Sequence, residues 1–215
     1  MDISTCCHCQ GADEFFSDRR ARKELKKYRR KGPDKSTRLL LEGIVSRGVE
    51  GASVLDIGGG VGVIQHELAA RGAAEIYSAD ASQAYLATSR AEAEERGYVE
   101  QARYLLGDFV DIAPDVEEVD IVTLDRVVCC YPDMPTLVEA SASKARRVYG
   151  LVFPRDRWPV RAVIAGINLV NALRRSSFRV FVRPPEEIDR TVRAAGFEPR
   201  YSARTFVWHV AVYAR

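Results

Sequence analysis

The run Val54-Leu55-Asp56-Ile57-Gly58-Gly59-Gly60-Val61-Gly62 constrains this chain more than any other. Two apolar residues lead into an acid, then a glycine-rich bend, then an apolar helix pattern at Val63, Ile64, Leu68 and Ala69. That order reads as strand, tight turn and helix, the opening unit of a nucleotide-type α/β sheet. Glycine lets the backbone bend sharply and lets a ligand lie on bare peptide groups. The spacing excludes two ligand types. The dinucleotide fingerprint needs glycines at offsets one, three and six, but the sixth position from Gly58 is Val63, and from Gly60 it is Gln65. A phosphate-cradling loop needs Gly-Lys-Ser/Thr after four spacers, and no such run exists. A carboxylate at a strand end would also repel a pyrophosphate and suits a cationic ligand head.

Strand and helix patterns alternate through the middle of the chain, at 53–57, 63–71, 75–79, 82–96, 102–106, 119–124, 134–145 and 147–153. The fold class is therefore α/β, a parallel sheet with helices on both faces. Helices are expected before it over 14–30 and 34–47, the second capped by Asp34 or Ser36. An apolar helix near 158–173 and another over 185–195 follow, the latter stopped by Gly196, and strands near 197–203 and 206–213 end the chain. The 215 residues suffice for one core with an additional segment. Residues 1–50 read as an N-terminal tail with cap helices and 51–215 as the main domain.

The residues Val54 to Gly62 resemble the first motif of the Rossmann-like S-adenosylmethionine-dependent methyltransferases. That cofactor carries an ammonium and a sulfonium and no phosphate, which matches the acid before the bend. Glu75-Ile-Tyr-Ser-Ala-Asp80, Tyr104-Leu-Leu-Gly-Asp108-Phe109 and Val119-Asp-Ile-Val-Thr-Leu-Asp125 follow in the family's order. The resemblance implies a mostly parallel seven-stranded sheet with an antiparallel C-terminal hairpin and N-terminal cap helices. It implies S-adenosyl-L-methionine as cofactor, held by Asp56, Gly58, Gly60, Gly62, Asp80, Ala81, Asp108, Phe109 and Leu124. Asp80 would take the ribose hydroxyls and Asp108 the adenine amino group. Asp120-Ile-Val-Thr to Tyr131-Pro132 is similar, more narrowly, to the magnesium-protoporphyrin O-methyltransferases. That family has a histidine before the tyrosine, where this chain has Cys130.

Asp125, Arg126 and Tyr131 are the candidate catalytic residues. A sulfonium-bound methyl is already activated, so the protein's task is to align the acceptor and exclude water. A carboxylate acceptor would need no base, only an orienting cation from Arg126, Arg155, Arg157 or Arg161. A phenol or thiol would need a base, for which Tyr131 or Asp125 is available. The expected activity is methyl transfer to a small, partly apolar molecule, at oxygen. The alternatives are a metalloid methyltransferase using the cysteines, or a basic RNA- or membrane-binding protein with a vestigial cofactor fold.

Cys6, Cys7 and Cys9 are too crowded to wrap one tetrahedral ion, and no metal site is expected from them. The paired cysteines suit a reducing compartment, and the N-terminus lacks a signal-peptide core, so a cytoplasmic protein is expected. A net charge of +2 gives no global field toward nucleic acid, and none is expected as a partner. The basic run 19–31 reads as a solvated face or a cap over the substrate, with Tyr28 turned inward, and an anionic membrane is the peripheral contact it would suit. The apolar stretch 162–173, bounded by Arg161 and Arg174-Arg175, is a second candidate wall of the substrate site. Sequence leaves the oligomeric state open.

Overall fold

Adjacent residues of the central strands serve opposite faces, because side chains alternate along a strand. Val54 and Ile121 join one buried cluster with Leu40, Ile44, Ile64 and Leu68. Their neighbours Leu55 and Val122 join another with Leu137, Val138, Ile188 and Val192. These two apolar layers are why the middle strands read as continuous hydrophobic runs, as parallel strands covered on both faces do.

The computed structural model describes residues 15–215. Helices α1 (Asp18–Lys31) and α2 (Lys35–Val45) come first. Then alternate β1 (Ser53–Ile57), α3 (Val63–Ala69), β2 (Glu75–Asp80), α4 (Gln83–Glu95), β3 (Ala102–Leu106), α5 (Phe109–Ile112), β4 (Val119–Asp125), α6 (Met134–Ala142) and β5 (Ala145–Pro154). Helices α7 (Trp158–Leu173) and α8 (Pro185–Ala194) and strands β6 (Glu198–Arg204) and β7 (Trp208–Ala214) complete the chain. The sheet order is β3-β2-β1-β4-β5-β7-β6. Strands β1 to β5 are parallel, and β7 runs antiparallel between β5 and β6. This is the mostly parallel seven-stranded sheet with a C-terminal hairpin that the sequence implied. The chain steps outward from β1 to β3, then returns to β4 on the other side, so the carboxyl ends of β1 and β4 flank the switch point where ligands bind.

Most expected elements lie within two or three residues of the observed ones. Helix α1 begins at Asp18, after Ser17 in extended conformation; the expected start at residue 14 lies outside the described residues, as do Cys6, Cys7 and Cys9. Strand β4 runs one residue farther than expected, so Asp125 is its last member. The one-turn helix α5 was not expected; Asp108 caps it by accepting the Val110 amide at 3.0 Å.

The basic helix α1 is fixed to the sheet layer by its inner side. Tyr28 is buried, stacks on His66 at 5.7 Å and donates to Glu67 at 2.9 Å. The Arg29 guanidinium pairs with Glu92 and Glu95 of α4. Helix α2 is capped as its sequence indicates: Asp34 accepts the amides of Ser36 and Thr37, each at 3.1 Å.

Candidate active site

The glycine bend adopts backbone angles that side-chained residues avoid, with φ of +61° at Gly58 and +59° at Gly60. A Cβ on Gly58 would stand 2.5 Å from Val127, and one on Gly59 would strike the Asp56 carboxylate. Asp80, at the end of β2, braces this bend: its carboxylate accepts the Gly60 amide at 3.0 Å and the Ser82 amide at 2.8 Å. The acid and the bare peptide groups therefore form one surface.

Two cavities meet at this bend. The first is lined by Gly58, Gly60, Asp80, Ala81, Asp108 and Phe109, with aromatic walls from Tyr131, Phe178 and Phe181. Tyr131 donates to both oxygens of Asp108, at 3.0 and 3.1 Å. The second, about 530 Å³, runs from the bend past Tyr28, Asp125 and Arg126 to Val163, Ile164 and Ile167 of α7 and to Phe206 and Trp208. Gly58, Gly60, Arg126 and Cys130 line both. A volume of this size suits a small organic molecule.

Arg126 stands at the junction with a left-handed backbone, φ +65°. It donates from Nε to Asp125 Oδ1 at 2.9 Å, from Nη1 to Asp34 at 2.9 Å, and from Nη2 to Thr37 and Asp125 Oδ2 at 3.2 Å. Thr37 in turn donates to Asp125 at 2.6 Å. Burial opposes the guanidinium charge, but the Asp125 and Asp34 carboxylates outweigh it and raise the Arg126 pKa. Burial likewise works to raise the Asp34 pKa, and Arg126 with the Thr37 and Ser36 donors overrides it, holding the group at about 2. Two carboxylates share one guanidinium, so the cluster keeps an excess negative charge.

The expected site residues divide by depth. Gly58, Gly60, Asp80, Ala81, Asp108, Phe109, Arg126 and Tyr131 border the first cavity; Asp125 borders the second. Asp56 borders the second cavity, but its carboxylate is fully buried and turned inward, bonded to Thr123 at 2.7 Å and Gln65 at 3.2 Å. Burial pushes its pKa up to about 7, against the lowering effect of those two donors. Gly62 and Leu124 border neither cavity. Gly62 starts α3 where a Cβ would strike Ser89 and His66, and Leu124 points into the core because strand alternation turns it away from Asp125. Of the four candidate orienting arginines, only Arg126 borders a cavity; Arg161 pairs with Asp156 at the surface and Arg155 donates to the Thr205 carbonyl.

Sequence reasoning missed Phe178 and Phe181. They lie on an irregular stretch with no periodicity, held in place by Asn168 and Asn171 of α7 through the Val180 and Phe178 backbone. It also missed that Asp34 and Thr37 reach Arg126, a contact about 90 residues distant in sequence. Cys129 is a buried filler whose thiol donates to the Arg126 carbonyl at 3.3 Å. His66 and His209 are structural. Burial pushes His66 down to about 4, with its Nε2 on the Val61 carbonyl at 2.8 Å; His209 packs on Phe153 at 4.9 Å. Among the described residues, no three or more His, Cys, Asp or Glu side chains group as a metal site.

The first cavity suits a nucleoside with a cationic substituent. Its bend offers peptide groups and carboxylates rather than a lysine-bearing phosphate cradle, and aromatic side chains line it together with Asp108. Residues 54–148 match the family described as "Methyltransferase domain". No curated protein matches the sequence. Among solved structures, magnesium protoporphyrin IX methyltransferase from Synechocystis PCC 6803 with bound SAM is similar, with TM-score 0.70, 18% identity, and coverage of 100% of this chain and 98% of that one. A putative sarcosine dimethylglycine methyltransferase from Galdieria sulphuraria gives 0.67 at 12% identity, covering 84% and 85%. An O-methyltransferase family protein from Burkholderia thailandensis gives 0.64 at 16% identity, covering 82% and 56%. The family match thus covers residues 54–148, and over the whole chain the fold is the one that these methyltransferases share.

Proposed function

We propose that this enzyme methylates a hydroxyl oxygen of a small, partly apolar molecule. The observation that carries the reading is the junction: among the described residues, the cavity at the glycine bend and the apolar cavity share Gly58, Gly60, Cys130 and Arg126, together with Phe16 and Tyr85. The bound cofactor supplies an activated methyl on sulfur. The glycine bend would face its methionine end, Asp80 its ribose, and Asp108 with Phe109 its adenine. Asp56 acts at one remove, fixing the bend from beneath.

The charge at the junction selects among acceptors. Asp34 and Asp125 outnumber the single Arg126 cation they hold, so an acceptor carboxylate would meet net repulsion. A neutral hydroxyl meets a base instead. As the acceptor oxygen takes the methyl, its proton passes to the Asp125 carboxylate. Arg126 and Thr37 keep that carboxylate in place, and the buried Val160 and Ile164 side chains make the cavity wall of α7 apolar. The porphyrin of the Synechocystis enzyme is not carried over, since Cys130 stands where that likeness calls for a histidine. Residues 51–215 would form the catalytic domain, with α1 and α2 as its cap, in a cytoplasmic protein.

Incubation with methyl-labelled S-adenosylmethionine and a cell extract tests the reading. The expected product is a small molecule labelled as an O-methyl ether. Asp125→Asn should lower its rate about 10²- to 10⁴-fold while leaving cofactor affinity by calorimetry unchanged. Asp80→Ala should weaken that affinity about tenfold or more. Label on a thiol, or full activity in Asp125→Asn, overturns the hydroxyl assignment.

A further inference from the structure

Helix α7 turns its apolar side outward. Trp158, Val163, Ile167, Leu169, Val170 and Leu173 are all exposed, Trp158 at 81% and Leu173 at 77%, and Phe206 beside them is 69% exposed. At about 100° per residue these positions, with Ala162 and Gly166 between them, cover about half the helix circumference. Only Val160, Ile164 and Asn171 are buried on the opposite side. Ordinary soluble helices reverse this arrangement.

The charges around the patch say what it meets. Over residues 155–179 there are six arginines and a single acid, Asp156. Arg157 and Arg161 flank one end and Arg174 and Arg175 the other, all exposed. A second copy of this chain placed over the patch would bring like charges together. An apolar face rimmed by arginine matches an anionic lipid surface. The helix has 16 residues, about 24 Å, and among the described residues no helix is long and apolar enough to cross a membrane. It would lie in the plane of the headgroups.

We propose that α7 and Phe206 dock this enzyme on an anionic lipid bilayer. Val163, Ile167 and Phe206 belong to both the exposed patch and the lining of the second cavity. The docked face would therefore open that cavity toward the acyl boundary, from which an apolar acceptor could enter without crossing water. This last consequence rests on the acceptor-site reading; the docking itself does not. Docking falls to α7 rather than to the basic helix α1, which has no exposed large apolar side chain beside its cations.

The full chain is floated with vesicles of phosphatidylcholine, with and without phosphatidylglycerol. Flotation is expected only with phosphatidylglycerol, with a blue shift of tryptophan emission that Trp158→Phe abolishes. The double variants L169D/L173D and R174E/R175E should each lower partition about tenfold, the first by loss of apolar contact and the second by loss of charge. Neither pair lines a cavity, so cofactor affinity by calorimetry should stay at the parent value and certify folding. Absence of flotation overturns docking, as does flotation that ignores both variants. Sedimentation showing a dimer that L169D/L173D dissociates, with vesicles ignored, assigns the patch to self-association instead. Flotation requires no turnover, so failure of the methylation assay leaves this result standing, and the reverse holds too.

Discussion

Asp56 shows how one residue can be legible in type and misread in action. Its position before the glycines points to a ligand contact, yet the carboxylate is fully buried and takes its bonds from Thr123 and Gln65. Nothing in the strand pattern reveals that Gln65, nine residues on, reaches back to it. The consequence is a pH dependence. The folded pKa of about 7 lies above the ordinary carboxylate value of 3.8, so the native state holds a proton that the unfolded chain has released. Its contribution is fully present below pH 3.8 and is lost as pH rises through 7. His66 works oppositely between pH 4 and 6.5, because its folded pKa is depressed and the unfolded chain binds the proton. The difference between parent and Asp56→Asn isolates the acid. The parent should lose about 2 kcal/mol relative to the variant between pH 5 and 7, read from urea unfolding. A constant difference across that range would mean that Asp56 is ionised in the native state.

Among elements, α2 carries two duties through a single residue. Asp34 caps the helix and also holds Arg126. The capping role was readable from Asp-Lys-Ser-Thr ahead of an apolar stripe; the grip on Arg126 was not, since it joins α2 to the end of β4. Substitution separates the duties. Asp34→Asn keeps a good cap and loses the charge, whereas Asp34→Ala loses both. Asp34→Ala should cost about 1 kcal/mol more stability than Asp34→Asn in denaturant unfolding. Both should impair methyl transfer alike, because each removes the charged partner of Arg126 Nη1 and leaves the guanidinium held by Asp125 and Thr37 alone. Helix α7 presents the converse case. Its boundaries followed from its apolar composition and the flanking arginines, but which side faces inward depended on Asn168 and Asn171 binding the following segment. Asn168 and Asn171, two polar side chains in an apolar helix, are the local trace of that inward side.

At the scale of the whole molecule, the two cavities should be separable. Ile167 borders only the second, so Ile167→Trp should block acceptor turnover while calorimetric cofactor affinity stays unchanged. Loss of both would mean that the cavities act as one. One fold can carry different chemistries, so the site rather than the sheet determines the reaction. Sequence by itself determined the alternation of strands and helices, the glycine bend and the acids at the ends of β1, β2 and β3, because these depend on local backbone preference and short periodicities. Tertiary structure decided what those acids touch, which arginine reaches the junction and which face of α7 meets solvent. Each of those depends on groups far apart in the chain, and local pattern carries no record of which distant side chain will close the distance.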